Sequence, residues 1–157
     1  MFLGKFTNIF FRTVWKRDIL NDMHLIVYCD GGARGNPGPA GIGVFIKDEK
    51  GNVLSQFGKK IGVATNNIAE YTAVIEALSW ITDNVKPSQI TFRLDSQLVV
   101  YQLNGLYKMK SANLRELMVK VRELEARIGA PVSYQHVPRE QNWEADSFVN
   151  KALDEAG

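Results

Sequence analysis

One cysteine in 157 residues excludes an internal disulfide and leaves no thiolate cluster for zinc. That residue, Cys29, sits in an apolar run with no basic neighbour in sequence. It reads as a small core residue rather than a reactive thiol. Excess charge is scarce too. The chain carries 19 basic and 17 acidic side chains, a net +2. Residues 1–23 hold four of the basic and two of the acidic ones, so the rest of the chain holds fifteen of each. Strong binding to a polyanion through bulk positive charge is thereby excluded, and any such binding is expected to be weak and salt-sensitive. Apolar stretches are too short and too broken to form a transmembrane helix, and no internal repeat is present. What remains is an ordinary globular composition, 45% hydrophobic and 23% charged, in a chain long enough for one domain with its own core.

Residues 1–22 differ in style from the rest of the chain. Phe2, Leu3, Phe6, Ile9, Phe10, Val14 and Trp15 recur at roughly helical spacing, with basic residues between them. Three readings fit: an amphipathic helix that docks on the domain or a partner, an interfacial or targeting segment, and a translated extension upstream of Met23. The expectation is an appended helix or arm at 1–22, followed by a domain over 23–157.

From His24 the pattern is regular. Leu25 to Cys29 is an apolar run suited to a strand covered on both faces. Strands follow at Gly41–Lys47 and Val53–Val63, joined by a turn at Asp48–Asn52, with a bend expected near Gly58. Thr65 or Asn66 caps a helix to about Asn84, with Ala69, Ala73, Ala77, Leu78 and Ile81 on its apolar side. Ile90–Leu94 is a fourth strand. A short helix runs from Ser96 to Leu103 and ends at Gly105. The next, Ser111–Ile128, has Leu114, Leu117, Met118, Val121, Leu124 and Ile128 in one stripe, with Glu116–Lys120 and Glu123–Arg127 spaced for ion pairs. Val132–Val137 is a fifth strand, and a last helix starts near Arg139 or Glu140. The order β-β-β-α-β-α-α-β-α defines an α/β fold, a mixed five-stranded sheet with helices packed on it.

Four acids stand where strands end or helices begin. Asp30 heads the Gly-rich turn Asp30-Gly31-Gly32-Ala33-Arg34-Gly35-Asn36-Pro37-Gly38. Glu70 closes Thr65-Asn66-Asn67-Ile68-Ala69-Glu70, Asp95 opens Asp95-Ser96-Gln97, and Asp146 ends Asn142-Trp143-Glu144-Ala145-Asp146. Singly, each has a plain explanation. An Asp before glycines opens a turn, an acid in a first helical turn suits the helix dipole, and a helical Asp faces solvent. Together they suggest another arrangement, since converging carboxylates hold hard cations through oxygen, and a pair of such cations can cleave phosphodiesters.

These four motifs, in this order, resemble the type 1 ribonuclease H family from about His24 to about Leu153. The resemblance implies the ribonuclease H fold and an endonuclease that cuts the RNA strand of RNA–DNA hybrids, leaving 5′-phosphate and 3′-hydroxyl ends. It implies that Asp30, Glu70, Asp95 and Asp146 bind two Mg²⁺ or Mn²⁺ ions. His136 resembles the family's proton-shuttling loop histidine, although its segment lacks the usual flanking glycines, which leaves Arg139 as an alternative group near the metals. Asn36, Asn66, Asn67 and Gln97 match positions that contact the hybrid's minor groove. Lys47 and Thr65, with Asn36, match a pocket for a DNA-strand phosphate. Plain readings of these six are turn formation, helix capping and ordinary solvent-facing side chains. Leu106-Tyr107-Lys108-Met109-Lys110 runs almost directly into the next helix, so the chain resembles the short branch without a basic protrusion. The implied protein is cytoplasmic and monomeric, has no membrane association and needs no small-molecule cofactor. Rival readings are a strand transferase or exonuclease of the same superfamily, against which the Glu70 position and the Thr-Asn-Asn motif argue, and a non-catalytic nucleic-acid-binding or adaptor domain on this fold.

Overall fold

The computed structural model describes residues 22–155. Most of the expected N-terminal arm, residues 1–21, lies outside the described residues, as do 156–157. Strands β1 (His24–Ala33), β2 (Gly38–Asp48) and β3 (Val53–Ala64) form an antiparallel meander. Strands β4 (Gln89–Leu94) and β5 (Val132–His136) continue the sheet in parallel beyond β1, in the order β3-β2-β1-β4-β5. The helices are α1 (Asn66–Asn84), α2 (Gln97–Leu103), α3 (Ala112–Ile128) and α4 (Trp143–Asp154). Element order and sheet type are as the sequence predicts.

Side-chain alternation decides which helix covers which face. Leu25, Val27 and Cys29 point to the α1 side and are fully buried, and Cys29 Sγ lies 3.7 Å from Ala73 O of α1. Small residues on α1 let it lie close. A side chain at Gly31 would collide with the main chain of Ala69 and Glu70, so the absent Cβ brings Glu70 against β1. The cap is Thr65, whose Oγ1 accepts the Ile68 N–H at 3.2 Å. Helix α3 packs on α1 through Val121, flanked by half-buried Leu114, Leu117, Met118, Leu124 and Ile128. It stops at Gly129, whose φ of 74° is the left-handed C-terminal cap.

Helix α4 covers the meander on the opposite face. The bend expected near Gly58 is not there: Gly58 pairs regularly with Gly43, and the irregularities of β3 fall near its two ends, opposite Ala40/Gly41 and Ile46/Lys47. Glycine is required at 58 for another reason. Side chains at Gly43 and Gly58 would run into the carbonyls of Ala145 and Phe148, so α4 rests its backbone on the sheet. The last helix also starts later than predicted. Residues Arg139–Gln141 form a 3₁₀ turn and α4 begins at Trp143, because Asn142 turns its side chain inward instead of continuing the helix. Among the described residues neither Glu116–Lys120 nor Glu123–Arg127 closes to an ion pair; α3 instead pairs Arg122 with Glu125, and Arg122 also donates to Leu103 O. Among the described residues no helix is long and apolar enough to cross a membrane.

Candidate metal centre and its surroundings

The parallel pairing of β1 with β4 brings two acids level. Tyr28 is opposite Arg93, so Asp30 and Asp95 stand side by side two residues further on. Glu70, in the second turn of α1, reaches them past Gly31. Carboxylate oxygens of Asp30, Glu70 and Asp95 lie within 4.8 Å of one another. Asp146, in the first turn of α4, is not part of that triad but lines the same cleft of about 290 Å³.

The electrostatics of this cluster are unfavourable on their own. Burial pushes the Asp30 carboxyl up to about 8, and Asp95 and Asp146 beside it add to that push. Burial, followed by the charges of Asp30 and Asp95, holds Glu70 well above the usual carboxylate range, and the Gly31 amide offsets only part of this. Glu70 Oε2 is buried without a hydrogen-bond partner among the described residues. Clustered anions, an unpartnered carboxylate oxygen and a donor set of oxygen alone fit a hard divalent cation and not zinc. The Cys29 thiol, raised by burial and then by Glu70 and Asp30, stays protonated and takes no part as a ligand.

The remaining predicted residues divide by position. Asn36 Oδ1 accepts the Asn66 N–H at 3.0 Å, and Asn66 Oδ1 accepts the Ala33 N–H at 2.9 Å. These two bonds brace the Gly-rich turn against the start of α1, and Asn66 lines the acid cleft. Asn67 is half-buried in the same turn. Gln97 opens α2 directly after Asp95 and Ser96, exposed, with its Nε2 donating to Tyr101 Oη at 2.9 Å. Lys47 does not join Asn36 and Thr65. It pairs with Ile26 and Val53 at the far end of β2, whereas Gly38 and Ala64 pair at the near end. Nine residue steps along β2 separate Lys47 from Gly38, on the order of 30 Å. Its Nζ lies 5.7 Å from the Tyr28 ring centroid instead. His136 is exposed at the end of β5 and is not among the cleft residues, while Arg139 is.

One buried residue at the site carries no predicted role. Asn142 is fully buried, and its Nδ2 donates to Cys29 O at 2.9 Å and to Asp95 Oδ2 at 3.1 Å. It stands directly before α4, four residues ahead of Asp146, and its side chain makes no cap bond.

A five-stranded sheet in this order, with one acid within β1 and another just past the end of β4, defines the ribonuclease H-like class of folds. The family model described as "Reverse transcriptase-like" matches residues 28–152. A ribonuclease HI of Halobacterium salinarum is 43% identical over 82% of this chain and 64% of its own length. The bifunctional protein Rv2228c of Mycobacterium tuberculosis is 39% identical over 85% of this chain and 36% of its own. The chain thus spans between about a third and two thirds of these curated relatives. The crystal structure of LC11-RNase H1 in complex with RNA/DNA hybrid is 46% identical and has a TM-score of 0.80, covering 84% of this chain and 98% of that one. The chain belongs to this reverse transcriptase-like family and, within it, to the type 1 ribonucleases H. Only residues 104–111 connect α2 to α3, as expected of the branch without a protrusion.

Proposed function

We propose that this chain is a metal-dependent endonuclease that hydrolyses the RNA strand of RNA–DNA hybrids, giving 5′-phosphate and 3′-hydroxyl ends. The observation that carries the reading is the convergence of Asp30, Glu70 and Asp95 within 4.8 Å, with Asp146 on the same cleft. Asp30, Glu70, Asp95 and Asp146 would hold two Mg²⁺ or Mn²⁺ ions. Such a pair supplies an activated water and Lewis-acid stabilisation of the departing 3′ oxygen.

The chain's own residues supply positioning. The oxygens of Asn36 and Asn66 are engaged internally, so their amide N–H groups are what they offer to 2′-hydroxyls and base edges. Asn67 and Gln97, on either side of the acids, extend this contact without reading sequence. Thr65 is occupied as a cap, and its place at the α1 N-terminus suits a backbone phosphate. Arg139 on the cleft wall is assigned to the scissile phosphate, where a guanidinium acts by charge and not by proton transfer. His136 would have to turn toward the cleft to serve as a proton shuttle.

The test is cleavage of matched hybrid, duplex RNA and duplex DNA, each in EDTA and with Mg²⁺ or Mn²⁺ restored. Metal-dependent cutting confined to the RNA strand of the hybrid is expected. Binding of hybrid without cleavage under all conditions would return the chain to the adaptor reading.

A further inference from the structure

Asn142 links three of the four acid-bearing elements through one residue. Its side chain bonds Cys29 O, the carbonyl directly before Asp30, and Asp95 Oδ2 after β4. Its own carbonyl accepts the Asp146 N–H at 3.1 Å, which begins the first turn of α4. Both side-chain partners are acceptors, so the amide nitrogen must face them. This leaves Oδ1 pointing into the protein, buried and without a partner among the described residues. A buried amide with one half unsatisfied is costly, and a structural role alone does not require it. A cap, for instance, would be served by an exposed Ser or Asp.

We propose that Asn142 is a positioning residue for the metal centre: its Nδ2 fixes the Asp95 carboxylate and holds β1 and α4 at the separation that four-acid coordination needs. The role rests on the nuclease reading above. A carboxylate held by an N–H donor is locked in one rotamer before any cation arrives. Without the donor, the Asp95 carboxylate must be ordered at the moment the cation binds. Partners that orient a ligand typically contribute 10- to 100-fold in metal affinity or activity.

The experiment has two parts. In the wild-type chain, Mg²⁺ is titrated while the side-chain amide resonances of Asn142 and Asn104 are followed. Asn104 donates to Tyr134 O, away from the acids, and is the internal control. The Asn142 signal is expected to shift with Mg²⁺ and the Asn104 signal to stay. A silent Asn142 in a chain that binds Mg²⁺ would overturn the positioning role and leave the nuclease reading intact. No Mg²⁺ response anywhere, with no hybrid cleavage, would overturn both. Next, Asn142→Ala and Asn142→Ser are compared with Tyr134→Phe by Mn²⁺ calorimetry and by kcat and KM. Both Asn142 variants are expected to need about 10- to 100-fold more metal, with KM for hybrid nearly unchanged at saturating metal. Tyr134→Phe should leave the metal requirement alone. If the Asn142 variants lower only the melting temperature, as Tyr134→Phe does, the residue is merely structural.

Discussion

Two groups of polar side chains in this fold make opposite use of charge. In one, Glu125 of α3 accepts from Arg122 at 3.0 Å and from Tyr134 Oη at 2.7 Å, and Arg122 also donates to Leu103 O. Its members are of mixed sign and bonded to one another, and they join α3, β5 and the end of α2. In the other, Asp30, Glu70 and Asp95 are all acidic, burial and then the neighbouring carboxylates push the Asp30 and Glu70 carboxyls up, and Glu70 Oε2 has no partner among the described residues. A satisfied network stabilises the metal-free fold, whereas a cluster of like charge opposes it until a cation is supplied. The metal centre is therefore the place where the apo chain is least at rest.

The sharpest way to break this contrast is to remove charge from the acidic group. Asp30→Asn and Asp95→Asn each conserve shape while deleting a charged ligand. Cleavage should fall by about 10²- to 10³-fold or more, and the metal-free melting temperature should hold or rise. Near-normal activity in either variant would sink the assignment of these acids as ligands.

A second test uses pH without mutation. The folded Asp30 carboxyl is pushed up to about 8, while an unfolded Asp titrates near roughly 4. Between those values the folded metal-free chain keeps a proton that the unfolded chain has released. The stability this contributes is complete below the unfolded value and is lost as pH rises through the folded one. Glu70, shifted in the same direction, adds to the effect. In EDTA the melting temperature should drop from pH 5 to pH 8, and excess Mg²⁺ at pH 8 should restore it. A metal-free chain that gained stability over this range would contradict the account.

A smaller effect separates the two candidates at the edge of the cleft. Arg139→Ala should lower kcat by about 10- to 100-fold, the usual scale for a hydrogen bond to a charged group. His136→Ala should change it by less than about threefold. The reverse pattern would return proton transfer to His136. Smallest of all, Tyr134→Phe should cost about 1 kcal/mol, or a few degrees in melting temperature, with unchanged cleavage. Loss of activity there would mean that the balanced network also shapes the acid cleft.

Much of this architecture is legible in the chain because its signals are local. The Thr65 cap, the small-residue side of α1, the stripe of α3 and the stop at Gly129 are each written within a few residues of where they act. The level placement of Asp30 and Asp95 is different. It depends on the parallel register of β1 and β4, which no local pattern encodes, and it was legible only through resemblance. Resemblance also has a limit: it matched Lys47 to the phosphate pocket, whereas the register of β2 sets Lys47 at the opposite end of the strand from Asn36 and Thr65. Asn142 was hidden for another reason. The sequence pattern runs the last helix straight through it, and its bonds to Cys29 and Asp95 span 113 and 47 residues of chain.

Gly43 pairs across the sheet with Asp30, and its missing side chain makes room for the carbonyl of Ala145, the residue before Asp146. One methyl group added there would act as a wedge under α4. It would lift Asp146 from its neighbours while every acid stayed in the sequence. The reach of the fourth carboxylate is thus gauged by the thickness of a residue that has nothing to ionise or to coordinate with. An inactive variant at position 43 would be a fault of spacing in a chain whose chemistry was complete.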